Sequence, residues 1–472
     1  MRTDCNTKEF DFESLGKRKV VGGFDGGKIT SDAGGLLLRE AEARLGILKR
    51  LAGCFTDHRR SDRVEHGLFS LVAQRVAGIA LGYEDIVDHD ELRHDPLLAI
   101  LCGNNDITGQ NRRRKRDRGV ALAGKSTLNR LELRPKDANP KEEYKKIEAD
   151  AAKMDELMID IFLESFATAP AEIVLDLDAT DDPIHGNQEG RFYHGYYGNY
   201  CYLPLYIFCG EHLLCARLRT SGIDASAGTE EETGRIVERI RARWPKVRIV
   251  LRADSGFCRE PIMAWCELNG IDYVFGLARN SRLAGMIADE METARRRFEE
   301  TGKASREFAE LSYRTQKSWT RERRVVGKAE CLEKGDNPRF LVTSIAASEI
   351  DAARLYEQTY CARGDMENRI KEQQMWLFAD RTSCRMMRAN QLRLYFSSFA
   401  YILMHAVRRL ALAETEHERA QCGTIRLKLF KIGALVRVSV RRVKISFSEA
   451  YPYANLFKQA LANLRKIPLP AL

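Results

Sequence analysis

Three stretches of this chain carry residues suited to metal-assisted chemistry. In "VLDLDAT" the two-residue period of a strand puts Leu175 and Leu177 on one face and Asp176 and Asp178 on the other. In "RIVLRADSGF" Asp254 closes a second apolar run, where it can stand at a sheet edge beside the first. In "TYCARGDMENRIKEQ" Glu367 follows Tyr360 by seven residues and Arg363 by four, and precedes Lys371 by four; those offsets share one helical face. Carboxylates from two strands and a helix can hold two divalent ions. Such a pair activates a water or a 3′-OH and stabilises the leaving oxygen of a phosphodiester. Each piece also has a plainer reading, as strand-end caps or as an exposed Arg363–Glu367–Lys371 salt-bridge ladder. Their order along the chain, with basic flanks, favours the site.

The elements that must position these residues begin near residue 170. "EIVLDLDAT" reads as a strand, "GRFYHGYYGNYCYLPLYIFCGEHLLCARLRTS" as two or three more, and "GTEEETGRIVERIRARWP" as a helix. Strand "VRIVLRADSGF", helix "REPIMAWCELNG" and strand "DYVFGLA" follow, an order that matches an α/β, RNase H-like sheet. Residues 1–165 read as a mostly helical region, 166–280 as the first part of the core and 281–337 as a charged segment that interrupts it. Residues 338–410 read as the second part of the core, with the Glu367 helix, and 411–472 as a basic α+β segment for DNA binding or dimerisation. No internal repeat or low-complexity tract interrupts this plan.

"RGVALAGKST" satisfies the phosphate-loop pattern, with Gly119 followed by Gly124-Lys125-Ser126. A phosphate loop needs a buried strand to deliver it, and "NRRRKRDR" before Gly119 cannot be one. The expectation is instead a short helix capped by Ser126 or Thr127 and carrying Leu128, Leu131 and Leu133, in a helix-turn-helix element. The glycines of "VGGFDGGKITSDAGG" read as turns leading to a helix capped by Ser31 or Asp32.

At 472 residues, 44% hydrophobic and 30% charged, the chain reads as soluble and multidomain. The opening residues hold no apolar run, and the uncharged stretch Leu394 to Val407 is too short to span a membrane, so a cytoplasmic location is expected. The 12 cysteines include no C-x-x-C pair and read as reduced thiols; His89 and His94 read as the surface of a polar helix. The net charge of +9 is concentrated: residues 112–118 carry a local +5 and residues 424–447 a local +7. Two such patches on an otherwise balanced chain point to a polyanion. The alternating "VRVSVRRVKISFS" reads as a strand or hairpin with a cationic face.

Taken with "FDGGKITSDAGGLLLREAE", "LDLDATDDPIHGNQEG", "YHGYYGNYCYLPLY" and "LRADSGF", the chain resembles a DDE transposase encoded by bacterial insertion sequences. The group is marked by a Tyr-x2-Arg-x3-Glu-x6-Lys signature; Tyr360, Arg363 and Glu367 fit, whereas Gln374 departs from the fourth position and Lys371 shares the face. The resemblance implies an RNase H-like core of the retroviral-integrase type with a β-rich insertion and an N-terminal DNA-binding region. It implies cut-and-paste chemistry through a DNA hairpin, with two Mg²⁺ ions per site, Mn²⁺ able to substitute. Asp178, Asp254 and Glu367 match the catalytic, metal-binding triad at spacings of 76 and 113, and Asp178 is preferred to Asp176 because Ala179-Thr180 follows it.

The partners expected are double-stranded DNA, as terminal inverted repeats and target, and a second protomer in the synaptic complex, with no membrane and a bacterial, nucleoid-associated location. Arg112, Arg113, Arg114, Lys115, Arg116 and Lys125 would hold phosphates, with Asn129 and Arg130 reading bases. Trp319 would either stack an unpaired base among Arg321, Arg323 and Arg324 or pack in the core of a small β unit, while Tyr360, Arg363 and Lys371 would meet DNA beside Glu367. Arg441 and Arg442 would face DNA or the second protomer. The alternatives are a catalytically inactive DNA-binding repressor derived from a transposase, and a phosphate-loop ATPase.

Overall fold

The alternation in Glu172–Ala179 makes it the organising strand, β1, of a mixed sheet: Leu175 and Leu177 are fully buried on one face, and Asp176 and Asp178 lie on the other. The computed structural model describes residues 9–132 and 146–470. They divide into two units, one of residues up to Asp150 with Phe399 onward, and one of Ala151–Ser398.

In the second unit the chain continues through β2 (Leu205–Cys209), β3 (His212–Arg217), β4 (Arg248–Ala253) and β5 (Asp272–Leu277). It then forms β6 (Ser305–Tyr313), β7 (Arg323–Leu332), β8 (Gly335–Asp336) and β9 (Arg339–Thr343). Among the described residues these make one nine-stranded sheet in the order β3-β2-β1-β4-β5-β9-β7-β6, with β8 beside β7. β1, β4 and β5 are parallel neighbours, and the remaining pairings are antiparallel. Residues 281–337, read as an insertion, thus extend the central sheet with three of its strands.

Helices α1 (Ala151–Glu164), α2 (Thr229–Arg243), α3 (Glu260–Leu268) and α4 (Ala288–Thr301) accompany this sheet. Phe162, Ile236, Ile240, Met263 and Cys266 bury against Leu175, Leu177, Ile249 and Leu251 in the main core. Val250, Val274, Val326 and Leu341 form the opposite core with Leu355 and Tyr356. Those last two belong to an irregular helical segment: a π-helical stretch Leu355–Tyr360, a 3-10 turn Cys361–Arg363, and then α5 (Gly364–Leu377). π-Turns widen a helix locally and recur at functional sites.

The first unit is helical with small sheets. Its helices include Leu36–Leu45, Leu68–Leu81, Lys125–Glu132 and Ala454–Arg465. The basic stretch forms a hairpin, Ala434–Val438 with Val443–Phe447, joined by Ile29–Thr30. A Cβ on Gly34 would run into the Leu429 carbonyl, so only glycine fits that turn. Asp32 caps its helix with no side-chain hydrogen bond; its carboxylate binds Tyr83 and Lys431 instead. His89 is buried beside Gln74 and Arg75, not on a surface, and burial first, then Arg75, lowers its pKa to about 3. His94 is exposed. No helix among the described residues is long and apolar enough to cross a membrane.

Candidate active site

Parallel pairing sets Arg252 opposite Asp176 and Ala253 opposite Leu177, so Asp178 and Asp254 each lie one residue beyond the last paired position. Asp178, Asp254 and Glu367 line one cleft of about 510 Å³, together with Lys371, Gln374, His194, Tyr196 and Tyr197. Asp254 is held by its own loop: Oδ1 accepts the Gly256 N–H at 2.8 Å, the Asx-type turn that an Asp-x-Gly sequence favours.

The two aspartates of β1 have different surroundings. Asp176 is buried and receives two hydrogen bonds from Arg252, at 2.5 and 2.8 Å. Arg252 also donates to the Thr359 carbonyl, fastening the π-helical stretch to the sheet. Asp178 faces the cleft, and its carboxylate accepts the Ala179 N–H at 2.9 Å. Burial pushes the Asp178 carboxyl up to about 7; Arg363 opposes that, while Asp254 and Glu367 add to it.

Arg363 lies between two of the three carboxylates, 2.5 Å from Glu367 Oε1 and 4.0 Å from Asp178 Oδ2. Its positive charge offsets acids that would otherwise repel one another. Tyr360 sits beside it, and a Cβ at Gly276 on β5 would come within 2.6 Å of the Tyr360 hydroxyl. Lys371 lines the cleft. Gln374 donates to the Asp181 carbonyl at 3.4 Å and to Asp182 Oδ1 at 3.3 Å, and so braces the strand that follows β1. By donor type the three carboxylates fit a hard divalent ion, which takes oxygen ligands. Among the described residues no three acidic, histidine or cysteine side chains are already gathered as a metal cluster.

The family model for transposase DDE domain group 1 matches residues 12–469. The chain belongs to that family. No curated protein matches it. Among solved structures, the piggyBac transposase synaptic complex with hairpin DNA aligns at 12% identity and a TM-score of 0.39, covering 94% of this chain and 86% of that one. So distant a likeness carries no weight for the site of this transposase-family chain.

The residues expected to touch DNA are spread through both units. In the second unit Trp319 is 7% exposed, edge-on to Tyr313, with Arg323 over its ring. Arg323 is buried between Glu260 and Glu267, Arg321 pairs with Glu267, and Arg324 pairs with Glu310 and donates to the carbonyls of Ile345 and Ile350. The tryptophan face and three guanidinium groups are thus spent on internal packing and ion pairs. Extension of the sheet by β6 and β7 is what buries Trp319 and Arg323, while Arg321 stays exposed on its ion pair.

In the first unit Arg112 is buried and donates to the carbonyls of Glu65, Val120 and Ala121. It holds the basic loop in place instead of presenting charge. Arg113, Arg114, Lys115 and Arg116 are exposed, Arg113 donating to the Asp62 carbonyl. Lys125 pairs with Asp90, whose Oδ1 also accepts the Lys125 N–H. The helix therefore starts one residue before Ser126, capped by a distant aspartate, and the phosphate-loop lysine faces a carboxylate. Leu133 lies outside the described residues. Asn129 and Arg130 are exposed on that helix, and Arg437, Arg441, Arg442 and Lys444 on the basic hairpin. Arg426 and Lys431 are taken up internally, by the carbonyls of Ile79 and Ala80 and by Asp32.

Sequence reasoning passed over Gly276, Arg252 and the aromatic turn around Tyr196. A glycine inside the strand "DYVFGLA" was a legible sign of close backbone approach.

Proposed function

We propose that the chain is a bacterial insertion-sequence transposase of the Tyr-Arg-Glu-Lys group, with an RNase H-like core that cuts and joins DNA at terminal inverted repeats. One observation carries this reading: Asp178, Asp254 and Glu367, from two parallel strands and a helix, line a single cleft. Bound Mg²⁺ would activate the attacking water or 3′-OH and stabilise the leaving oxygen. The carboxylates of Asp178, Asp254 and Glu367 would hold it. Arg363 would release Glu367 and turn its charge to the phosphodiester, with Lys371 on the same cleft wall and Tyr360 bracing the arginine. Gln374, at the fourth signature position, would act through Asp182 and not on DNA.

DNA would meet the exposed Arg113, Arg114, Lys115, Arg116, Asn129 and Arg130, and separately the hairpin carrying Arg441 and Arg442. Arg437 lies directly opposite Lys444 across that hairpin; like charges so placed repel unless an anion relieves them. Two protomers bridging two ends would complete the assembly.

The Arg363–Glu367 ion pair is also what an inactive, DNA-binding descendant would show. A duplex carrying the inverted repeat found beside the gene separates the two readings. Mg²⁺-dependent nicking at the repeat end, absent in Asp178→Ala, supports the transposase; binding without nicking supports the repressor.

A further inference from the structure

The wall of the cleft opposite in chemistry to the carboxylates is aromatic. Phe192–His194 and Asn199–Tyr202 form an antiparallel hairpin, joined by Asp182–Pro183 in a three-stranded sheet. Its turn is Gly195-Tyr196-Tyr197-Gly198, and Gly198, at φ +68°, adopts the left-handed conformation that glycine tolerates best. The Tyr197 hydroxyl donates to the Ala179 carbonyl at 3.3 Å, tying the turn to the residue after Asp178.

Tyr196 meets the rings of Tyr197 and His194 edge-on, at 5.0 and 6.5 Å, yet remains 88% exposed. Phe192, Tyr193 and Tyr200 are exposed on the same hairpin, and the Arg191 guanidinium sits 4.0 Å from the centre of the Tyr200 ring. His194 lines the cleft, and its buried Nδ1 has no hydrogen-bond partner among the described residues.

Exposed rings forgo the stabilisation of burial. A planar group laid on the Tyr196 ring restores it. A nucleobase is such a group, and bases taken out of a duplex stack on aromatic side chains regardless of sequence. Trp319, the sequence candidate for that task, is buried against Tyr313.

We propose that Tyr196 stacks the unpaired base of a nucleotide adjoining the scissile phosphate. This rests on the reading of the acidic cleft as a phosphodiester-cleaving site. The wild-type chain, Tyr196→Ala and Tyr196→Phe are compared on the repeat-end duplex and on duplexes with single abasic positions scanned across the cleavage site. Tyr196→Ala slows cleavage of the intact duplex by about tenfold or more, the scale of one base–aromatic stack. At one abasic position the variant and the wild type cleave equally, because no base remains to be held. Tyr196→Phe keeps the ring and behaves as wild type. An equal loss on every duplex, or no loss on the intact one, overturns the proposal while leaving the cleft reading intact. No Asp178-dependent cleavage by the wild type overturns the cleft reading, and this proposal with it.

Discussion

Arg363 Nη2 stands 2.5 Å from Glu367 Oε1, one helical turn apart on an element that begins with a π-helical stretch. The guanidinium also reaches within 4.0 Å of Asp178, so one cation balances two of the three cleft carboxylates. A divalent ion and Arg363 would compete for the same negative charge. Arg363→Ala is therefore expected to bind Mn²⁺ several-fold more tightly than the wild type in the absence of DNA, measured by calorimetry. Equal affinities would show that the arginine does not compete with the ion.

Asp178→Ala, Asp254→Ala and Glu367→Ala should each abolish nicking and leave repeat-end binding within about twofold, since each removes an oxygen ligand and no cationic group. Asp176→Ala should behave differently. It leaves Arg252 buried without its partner, which costs about 3–5 kcal/mol of stability. Melting curves separate the two classes. A folded, inactive Asp176 variant beside an active Asp178 variant would mean the wrong aspartate was assigned.

Gly276→Ala would place a methyl 2.6 Å from the Tyr360 hydroxyl and 2.9 Å from the Ser255 nitrogen. Overpacking of this kind costs about 1–3 kcal/mol. The strain falls on the Asp254 loop and on Tyr360, so nicking should drop by more than the loss of folded protein explains. Adding Tyr360→Phe removes one of the two clashes and should restore part of the melting temperature.

Burial would raise the Glu267 carboxyl, but hydrogen bonds from Arg323, Arg321 and Tyr273 outweigh it and bring the pKa down to about 2. A depressed carboxyl pKa stabilises the fold above the unfolded-state value near 4.5, and that stability is lost as pH falls toward 2. Denaturant midpoints of the wild type and Glu267→Gln should therefore differ by a constant amount from pH 7 to about 5 and converge below about 4.5. A gap unchanged down to pH 3 would exclude the ion pairs as its source.

Neutralising Arg113, Arg114 and Arg116 should weaken binding to any duplex and flatten the salt dependence of log K by about 0.9 for each phosphate no longer neutralised. Arg441 and Arg442 substitutions should spare single-end binding and reduce paired-end complexes in gel-shift assays. Equal loss of single-end affinity by both sets would end this division of labour.

The period-two pattern of "VLDLDAT" told which face of β1 is polar, because alternation is local. It could not tell that Arg252 occupies Asp176, since that depends on the register of two strands 76 residues apart. The i,i+4 offset of Arg363 and Glu367 was readable, whereas the π-helical stretch just before it was not; side-chain spacing alone carries no sign of it. Trp319 could be read from sequence as a base-stacking ring or a core one, because its neighbours are arginines. Those arginines are neutralised by glutamates on α3 and β6, which only the folded sheet brings near.

Asp178 and Asp254 extend from adjacent parallel strands at matched register, so their spacing inherits the interstrand pitch of about 4.8 Å. That pitch is close to the separation of about 3.5–4 Å between ions in two-metal sites. The hydrogen-bond ladder acts as a fixed gauge that side-chain motion hardly alters. Glu367 comes from a helix whose preceding turn is irregular, so its placement is set outside that ladder. On the proposed metal-binding reading the sheet would need no change: Glu367 would join the two aspartates once Arg363 left it.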